Sequence, residues 1–93
     1  MRLINTTSLE MREFFDPPEY AILSHRWSDE EVSYEDFTLI HDETQALMQD
    51  LLKPRVDQIL RRSGYRKLLD FFALCQRRGH DWAWADTCCI DKR

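Results

Sequence analysis

Two short apolar runs, residues 20–25 and 82–86, frame most of this sequence, and helical patterns lie between them. A nearly continuous apolar run bounded by turn and loop residues is typical of a buried strand. Residues 65–78 repeat apolar side chains at helical spacing, and Gly79 follows as a stop. Strand, helix, strand predicts a parallel pair joined by a right-handed crossover, and therefore an α/β fold.

Three further segments complete the predicted elements. Residues 3–15 alternate weakly in hydropathy around a polar stretch at 5–8, which predicts two short N-terminal strands that end before Pro17; one or two helical turns at 9–15 are the alternative. Residues 43–62 form an amphipathic helix in this prediction, kinked or split near Pro54 because proline removes one backbone hydrogen bond. The acidic segment 27–36 has no clear period and predicts a loop, with a short helical turn at 34–37.

The length of 93 residues allows one small domain. No apolar run approaches the roughly 20 residues that a membrane-spanning helix needs. The first residues lack the apolar core of a secretory signal, so we expect a cytoplasmic protein that does not bind membranes. Three cysteines, two of them adjacent, do not resemble the disulfide framework of a secreted domain, and we expect all three to be reduced.

Charge is unevenly distributed along the chain. Residues 1–50 carry three arginines against twelve acidic residues, a net of −9, whereas residues 51–93 carry ten basic against five acidic residues, a net of +5. The basic residues are spread through helical patterns instead of clustering in a tail, which is typical of solvated helix faces. We therefore expect no nucleic-acid partner.

Two blocks resemble known signatures. Residues 20–27 (YAILSHRW) resemble the first signature of the fungal heterokaryon incompatibility (HET) domain, and residues 84–92 (WADTCCIDK) resemble its second. Residues 2–5 are similar to the usual opening of these domains. The later elements and third signature of a HET domain do not follow, so residues 1–93 are interpreted as a single, apparently truncated HET domain.

The resemblance implies a fold and a function. The fold would be a partial flavodoxin-like sheet, parallel and related to the Toll/interleukin-receptor (TIR) type, with a βαβ core. The function would be non-self recognition and cell-death signalling through protein partners or self-association. The alternative is a fragment of a TIR-like NAD-cleaving enzyme that lacks its catalytic helix; no cofactor is expected here, and NAD would concern only a complete domain.

Candidate site residues lie where the two predicted strands end, because sites in open α/β sheets form at the carboxyl ends of strands. These candidates for binding a ligand or partner are Ser24, His25, Trp27, Asp86, Thr87, Cys88 and Asp91. A scaffold role, in which they fix the loops by hydrogen bonds, stays open. No catalytic residue is assigned, because Ser24 and His25 are strand neighbours whose side chains point to opposite faces.

Two other sets of residues are interpreted as structural. No cysteine or histidine spacing supports a metal site, and Cys88 and Cys89 are expected to be small, partly buried packing residues, with a redox role as the alternative. Trp82 and Trp84 share one strand face, which suits stacking on a nucleobase but more often belongs to a core.

Overall fold

A computed structural model describes residues 1–23, 30–41 and 49–90 of the chain. Within them it contains four strands and three helices, so the predicted mixed α/β class is confirmed. The strands are β1 (Arg2–Asn5), β2 (Met11–Glu13), β3 (Ala21–Leu23) and β4 (Trp82–Ala85). The helices are α1 (Tyr34–His41), α2 (Gln49–Leu60) and α3 (Ser63–Arg77).

The strands form one mixed sheet in the order β2-β1-β4-β3. β3 and β4 pair in parallel, with Ala21 opposite Ala83 and Leu23 opposite Ala85, which confirms the predicted parallel pair. β1 is antiparallel to both β2 and β4. The expected parallel sheet is therefore wrong for this strand, and the sheet is mixed. The difference arises because the connection from β1 to β2 is too short for a crossover and closes a hairpin instead.

The hairpin between β1 and β2 confirms the two predicted N-terminal strands. Its turn begins with Asn5, whose side-chain oxygen accepts hydrogen bonds from the backbone N–H groups of Thr7 (2.9 Å) and Ser8 (3.0 Å). The buried Thr6 hydroxyl donates to the carbonyl of His80 at 2.8 Å. The Thr6 N–H donates to the carbonyl of Asp81 at 2.9 Å, so the tip of the hairpin is tied to the start of β4.

The two faces of β4 differ in their surroundings. Ala83 and Ala85 are fully buried in the main core, whereas Trp82 and Trp84, on the other face, are half-buried. Trp82 meets the ring of Phe14 edge to face at a centroid distance of 4.8 Å. The tryptophans therefore share a strand face as predicted, but the deepest positions of the strand belong to its alanines, whose small side chains let α3 approach the sheet.

α3 confirms the predicted helix at 65–78 and supplies much of the core. Its buried apolar side chains recur at helical spacing: Tyr65, Leu68, Phe72 and Cys75. Gly79, at φ +80°, ends the helix in a left-handed conformation, and His80 N–H then donates to the carbonyl of Cys75 at 2.8 Å.

α2 covers the part of the predicted helix at 43–62 that the structure describes; residues 42–48 lie outside the described residues. The helix continues through Pro54 as one element and does not split there. Of its expected core positions, Ile59 is fully buried, whereas 43% of Leu60 is exposed. Among the described residues, every helix is too short or too polar to cross a membrane.

α1 corrects the interpretation of residues 34–37 as a short turn in a loop, since this helix runs to His41. Ser33 caps it: its hydroxyl accepts the N–H of Asp36 at 3.1 Å, and its own N–H donates to an Asp36 carboxylate oxygen at 3.4 Å. This reciprocal capping box satisfies N–H groups that otherwise have no partner in the first turn. Phe37, 1% exposed, then anchors the helix in the core.

His41 lies at the contact between α1 and α3. Its ring stacks on Tyr65 at 6.1 Å and 12° between planes, and packs on Phe37 at 4.4 Å. The Tyr65 hydroxyl and His41 Nε2 are 3.1 Å apart. Burial disfavours the charged imidazolium and lowers the pKa of His41 below its ordinary value of 6.5.

We expect acid to weaken this helix contact. Because the pKa of His41 is lower in the folded chain than in the unfolded chain, its neutral form stabilises the fold above about pH 6.5. That contribution is lost as the pH falls through the lowered pKa. Urea titrations between pH 7 and pH 5 should show a falling free energy of unfolding, with a smaller fall in His41→Gln. The control His80→Gln, outside this contact, should keep the wild-type slope; an unchanged slope in His41→Gln would contradict the assignment.

Candidate functional site

The carboxyl ends of β3 and β4 lie side by side, since Leu23 and Ala85 are register partners. The residues that follow them in the sequence are Ser24 and Asp86, so the two blocks of predicted site residues leave the sheet from neighbouring positions. Ser24, His25, Trp27 and Asp91 lie outside the described residues. The expected approach of His25 to Asp86 therefore stays a prediction.

The amino end of β1 reaches the same edge of the sheet, because β1 runs antiparallel to β4. It brings Arg2 there, with the guanidinium 4.8 Å from the ring centroid of Tyr34, the first residue of α1. Arg2 Nε also lies 3.8 Å from a carboxylate oxygen of Glu13 on β2. The Arg2 guanidinium, held against the face of the Tyr34 ring, thus places a positive charge at the end of the sheet where the Asp86 carboxylate also lies.

The chain turns back immediately after β4. Cys89 N–H donates to the carbonyl of Ala85 at 2.9 Å, and Ala85 N–H donates to Cys89 Sγ at 3.4 Å. The structure buries Thr87, Cys88 and Cys89 in this turn, the two cysteines more completely than expected, whereas Asp86 is only partly buried. Thr87 and Cys88 therefore shape the turn from inside, and a direct contact of either with a partner stays a prediction.

The two adjacent thiols have pKa values shifted in opposite directions. Interaction with the Cys89 side chain, followed by burial, raises the pKa of Cys88 well above its ordinary value. The pKa of Cys89 is lowered chiefly by the hydrogen bond from the Cys88 side chain. Burial opposes this shift, while the N–H of Ala85 and the positive charge of Arg2 support it.

Residues 30–31, which precede α1, are anchored against the start of α3. Gly64 N–H donates to the carbonyl of Glu30 at 3.0 Å, and the Arg62 guanidinium donates to the carbonyl of Glu31 at 3.1 Å. The carboxylate of Glu31, a residue 8% exposed, accepts a hydrogen bond from Lys67 Nζ at 2.6 Å. Backbone and side-chain contacts together thus hold residues 30–31 against the start of α3.

A second ion pair joins α1 to the start of α3. Arg62 donates to an Asp36 carboxylate oxygen at 2.7 Å, and the more exposed Arg55 of α2 lies 3.1 Å from the other oxygen. Burial alone would raise the pKa of Asp36. The hydrogen bonds from Ser33 and the Arg62 guanidinium outweigh burial, so that the pKa lies below its ordinary value of 3.8.

A polar groove of about 510 Å³ lies beside these ion pairs, between Glu30, α2 and the start of α3. Its lining combines both signs of charge: Glu30, Pro54, Asp57, Gln58, Arg61 and Arg62. None of the lining residues is among the predicted site residues. Within residues 1–23, 30–41 and 49–90, no three His, Cys, Asp or Glu side chains converge to hold a metal ion.

Several residues that organise this region were missed in the sequence. In the sequence, Arg2 stands out only through the resemblance of residues 2–5 to the opening of a HET domain, and Tyr34 only as the start of a predicted short helical turn. The spacing of Ser33 and Asp36 ahead of an apolar run is the capping-box signature and would have predicted α1. The pairing of Asp36 with Arg62 has no comparable signal, because the two are distant in sequence and meet only in the folded chain.

Comparison with known proteins agrees with the resemblance to HET domains that the sequence carries. Over 77 residues, or 81% of the chain, the sequence is 35% identical to "Vegetative incompatibility protein HET-E-1" of Podospora anserina. The chain is similar to an incompatibility protein. The predicted relationship to heterokaryon incompatibility is confirmed at this level. The chain spans about 4% of HET-E-1, so the similarity concerns one small segment of that long relative. No family profile and no solved structure matches the chain.

Proposed function

We propose that this chain is a non-self recognition module of the HET type, which signals through contacts with other proteins. The observation that carries the proposal is its 35% identity, over most of its length, to a vegetative incompatibility protein. The two blocks that resemble HET signatures, residues 20–27 and 84–92, support the same assignment. Within this proposal the module acts in the cytoplasm.

The recognition surface in this proposal is the sheet edge at the ends of β3 and β4. Sites in open α/β sheets form where parallel strands end, and the pairing of Leu23 with Ala85 supports that position. Its residues are Ser24, His25, Trp27, Asp86, Thr87, Cys88 and Asp91. Arg2 and Tyr34 extend the same edge with a cation and an aromatic ring, both suited to a protein partner.

The fold and the mode of assembly form a further part of the proposal. The parallel pair β3–β4 with intervening helices fits the core of a TIR-like sheet, to which the antiparallel β1–β2 hairpin is added. Among the described strands β3 is an outer strand of the sheet, with a neighbour on one side only, and its Ile22 is 59% exposed. An exposed strand edge pairs readily with another chain, which supports self-association as one mode of signalling.

Asp86→Ala tests the proposed edge. The similar segment of HET-E-1 would be replaced by this chain, and the incompatibility reaction scored in Podospora anserina. We expect the unaltered chimera to react and Asp86→Ala to abolish the reaction at unchanged protein abundance, because Asp86 is the partly buried carboxylate at the end of β4.

Asp81→Ala is the matched control, since Asp81 is an exposed carboxylate just before the same strand. We expect this control to retain the reaction. A reaction that survives Asp86→Ala, at equal abundance on immunoblots, would mean that the edge is scaffold. An unreactive parent chimera would count against the recognition role itself.

The NAD-cleaving alternative makes a different prediction. Incubation of the purified chain with NAD should release no nicotinamide above a buffer blank, because the resemblance places the catalytic glutamate of TIR-like enzymes beyond these residues. The measurement is nicotinamide by liquid chromatography at several protein concentrations. Release that rises with protein concentration, and that disappears on heat denaturation, would favour the enzyme over the recognition module.

A further inference from the structure

The turn after β4 contains two adjacent cysteines, and the second of them is hydrogen-bonded to Ala85. Ala85 N–H donates to Cys89 Sγ at 3.4 Å, and Cys89 N–H returns to the carbonyl of Ala85 at 2.9 Å. These contacts fix the Cys89 sulfur as an acceptor at the end of the strand. Cys88 precedes it in the same turn and is free of any disulfide.

The two sulfurs have complementary chemistry. The pKa of Cys89 is lowered by the hydrogen bond from Cys88, by the N–H of Ala85 and by the charge of Arg2, which together outweigh burial and the charge of Asp86 and favour the thiolate. The pKa of Cys88 is raised, so this neighbour keeps its proton. A thiolate is the form of cysteine that attacks oxidants, and an adjacent thiol is what resolves the oxidised product.

We propose that Cys88 and Cys89 form a peroxide-sensitive thiol pair, in which Cys89 reacts first and Cys88 resolves the product. The Cys89 thiolate attacks one oxygen of hydrogen peroxide, the O–O bond breaks, and hydroxide leaves as Cys89 becomes a sulfenic acid. Cys88 then attacks that sulfur: the S–S bond forms, and the sulfenic oxygen leaves as water with the proton of Cys88. The two sulfurs lose two electrons in all, and the peroxide is reduced.

Geometry makes this disulfide reversible. Neighbouring Cα atoms are about 3.8 Å apart, which is shorter than the roughly 4.4–6.8 Å usual across a disulfide, so the ring is strained. Strained disulfides have more oxidising potentials and are reduced easily. The oxidised pair therefore returns to the dithiol when a thiol reductant is present.

Burial decides which oxidant is suitable. Cys88 is fully buried and Cys89 is 3% exposed, whereas the next residue, Ile90, is 39% exposed. Because Cys89 is shielded from solvent, the oxidant in this proposal is a small hydroperoxide that enters during local opening, and not a protein disulfide. The third cysteine, Cys75, is buried in α3, and burial raises the pKa of its thiol.

Cys75 is an internal control for the test. Trypsin separates the thiols, because residues 79–92 contain Cys88 and Cys89 and residues 68–77 contain Cys75. The folded chain would be treated with hydrogen peroxide, quenched with an alkylating agent in denaturant, digested and measured by mass spectrometry. We expect peptide 79–92 to lose two hydrogens faster than Cys75 is oxidised, because the pKa of Cys89 is lowered and that of Cys75 is raised. Dithiothreitol should reverse the change.

Two variants assign the roles of the sulfurs. In Cys88→Ser the sulfenic acid should persist and react with dimedone, whereas Cys89→Ser should lose both the disulfide and the dimedone adduct; circular dichroism checks that each variant is folded. Equal oxidation rates for Cys75 and peptide 79–92 in the wild-type chain would overturn the proposal without recourse to any variant. A disulfide linking two chains in place of the internal one would overturn it as well.

Discussion

Gly64→Ala should lower the free energy of unfolding by about 3 kcal/mol, the upper part of the range for overpacked sites. A Cβ at Gly64 would lie 2.3 Å from the carbonyl oxygen of Glu30 and 2.7 Å from the Cα of Glu31. Both are backbone atoms, so no side-chain rotation relieves the contact. Alanine gains up to about 1 kcal/mol in helix propensity over glycine, which is too little to offset the clash.

Gly79→Ala is the matched control for this prediction. Nothing lies within 4 Å of a Cβ added at Gly79, but its φ of +80° is unfavourable for alanine. We therefore expect a loss of only about 1 kcal/mol, from backbone strain alone. Urea unfolding followed by circular dichroism measures both variants. If the two unfolding midpoints fell equally, the close approach of α3 to residues 30–31 would be wrong.

Arg62→Met should cost about 3 kcal/mol, because it leaves the buried carboxylate of Asp36 without its closest partner. Methionine keeps much of the apolar stem of arginine, so the loss reports mainly on the charge. Arg62 also donates to the carbonyl of Glu31 and to the side chain of Gln58, and both acceptors lose a donor. The same urea titration measures this variant.

Arg55→Met is the control, because Arg55 contacts the same carboxylate but its side chain is 60% exposed. A pair with one exposed partner contributes less than about 1 kcal/mol. Adding Asp36→Asn to Arg62→Met should restore part of the lost stability by removing the unpaired charge. Equal losses for Arg55→Met and Arg62→Met would show that the carboxylate does not depend on Arg62.

The pH dependence of Asp36 follows from the same contacts. Its pKa is lower in the folded chain than its ordinary value of 3.8, so its carboxylate stabilises the fold above that pH. The contribution is lost as the pH falls through the lowered pKa. In Arg62→Met this loss should begin at higher pH, because one of the charges that lowers the pKa is gone.

Local patterns in the sequence predicted the elements that depend on nearby residues. The helix at 65–78, the hairpin turn at Asn5 and the end of α3 at Gly79 follow from apolar spacing and turn chemistry. The parallel pairing of β3 and β4 followed from strand order and the length of the connection. The insertion of β1 between β2 and β4 did not, because a strand of four residues has no pattern that selects its neighbours.

Some positions in the candidate site could likewise be predicted from the sequence, and others could not. The sequence placed Asp86 at the end of a strand beside the end of β3, because parallel strands end at one edge. It did not place Arg2 there, since that position depends on the unforeseen antiparallel pairing of β1 with β4. Nor did it distinguish the buried Thr87 and Cys88 from the more exposed Asp86, because the turn after β4 closes through the contacts of Cys89.

The central position of β4 governs the order in which this chain acquires its sheet. β1 and β3 each pair with β4, and in the described residues neither pairs with the other. Until residues 82–85 have been translated, the nascent chain therefore carries only the β1–β2 hairpin and the separate strand β3. The apolar faces of both then lack β4, the strand that joins them. Pairing that spans nearly the whole sequence slows folding and prolongs the exposure of such faces. The nascent chain thus keeps these apolar faces uncovered by their partner strand until one tetrapeptide, WAWA, has emerged.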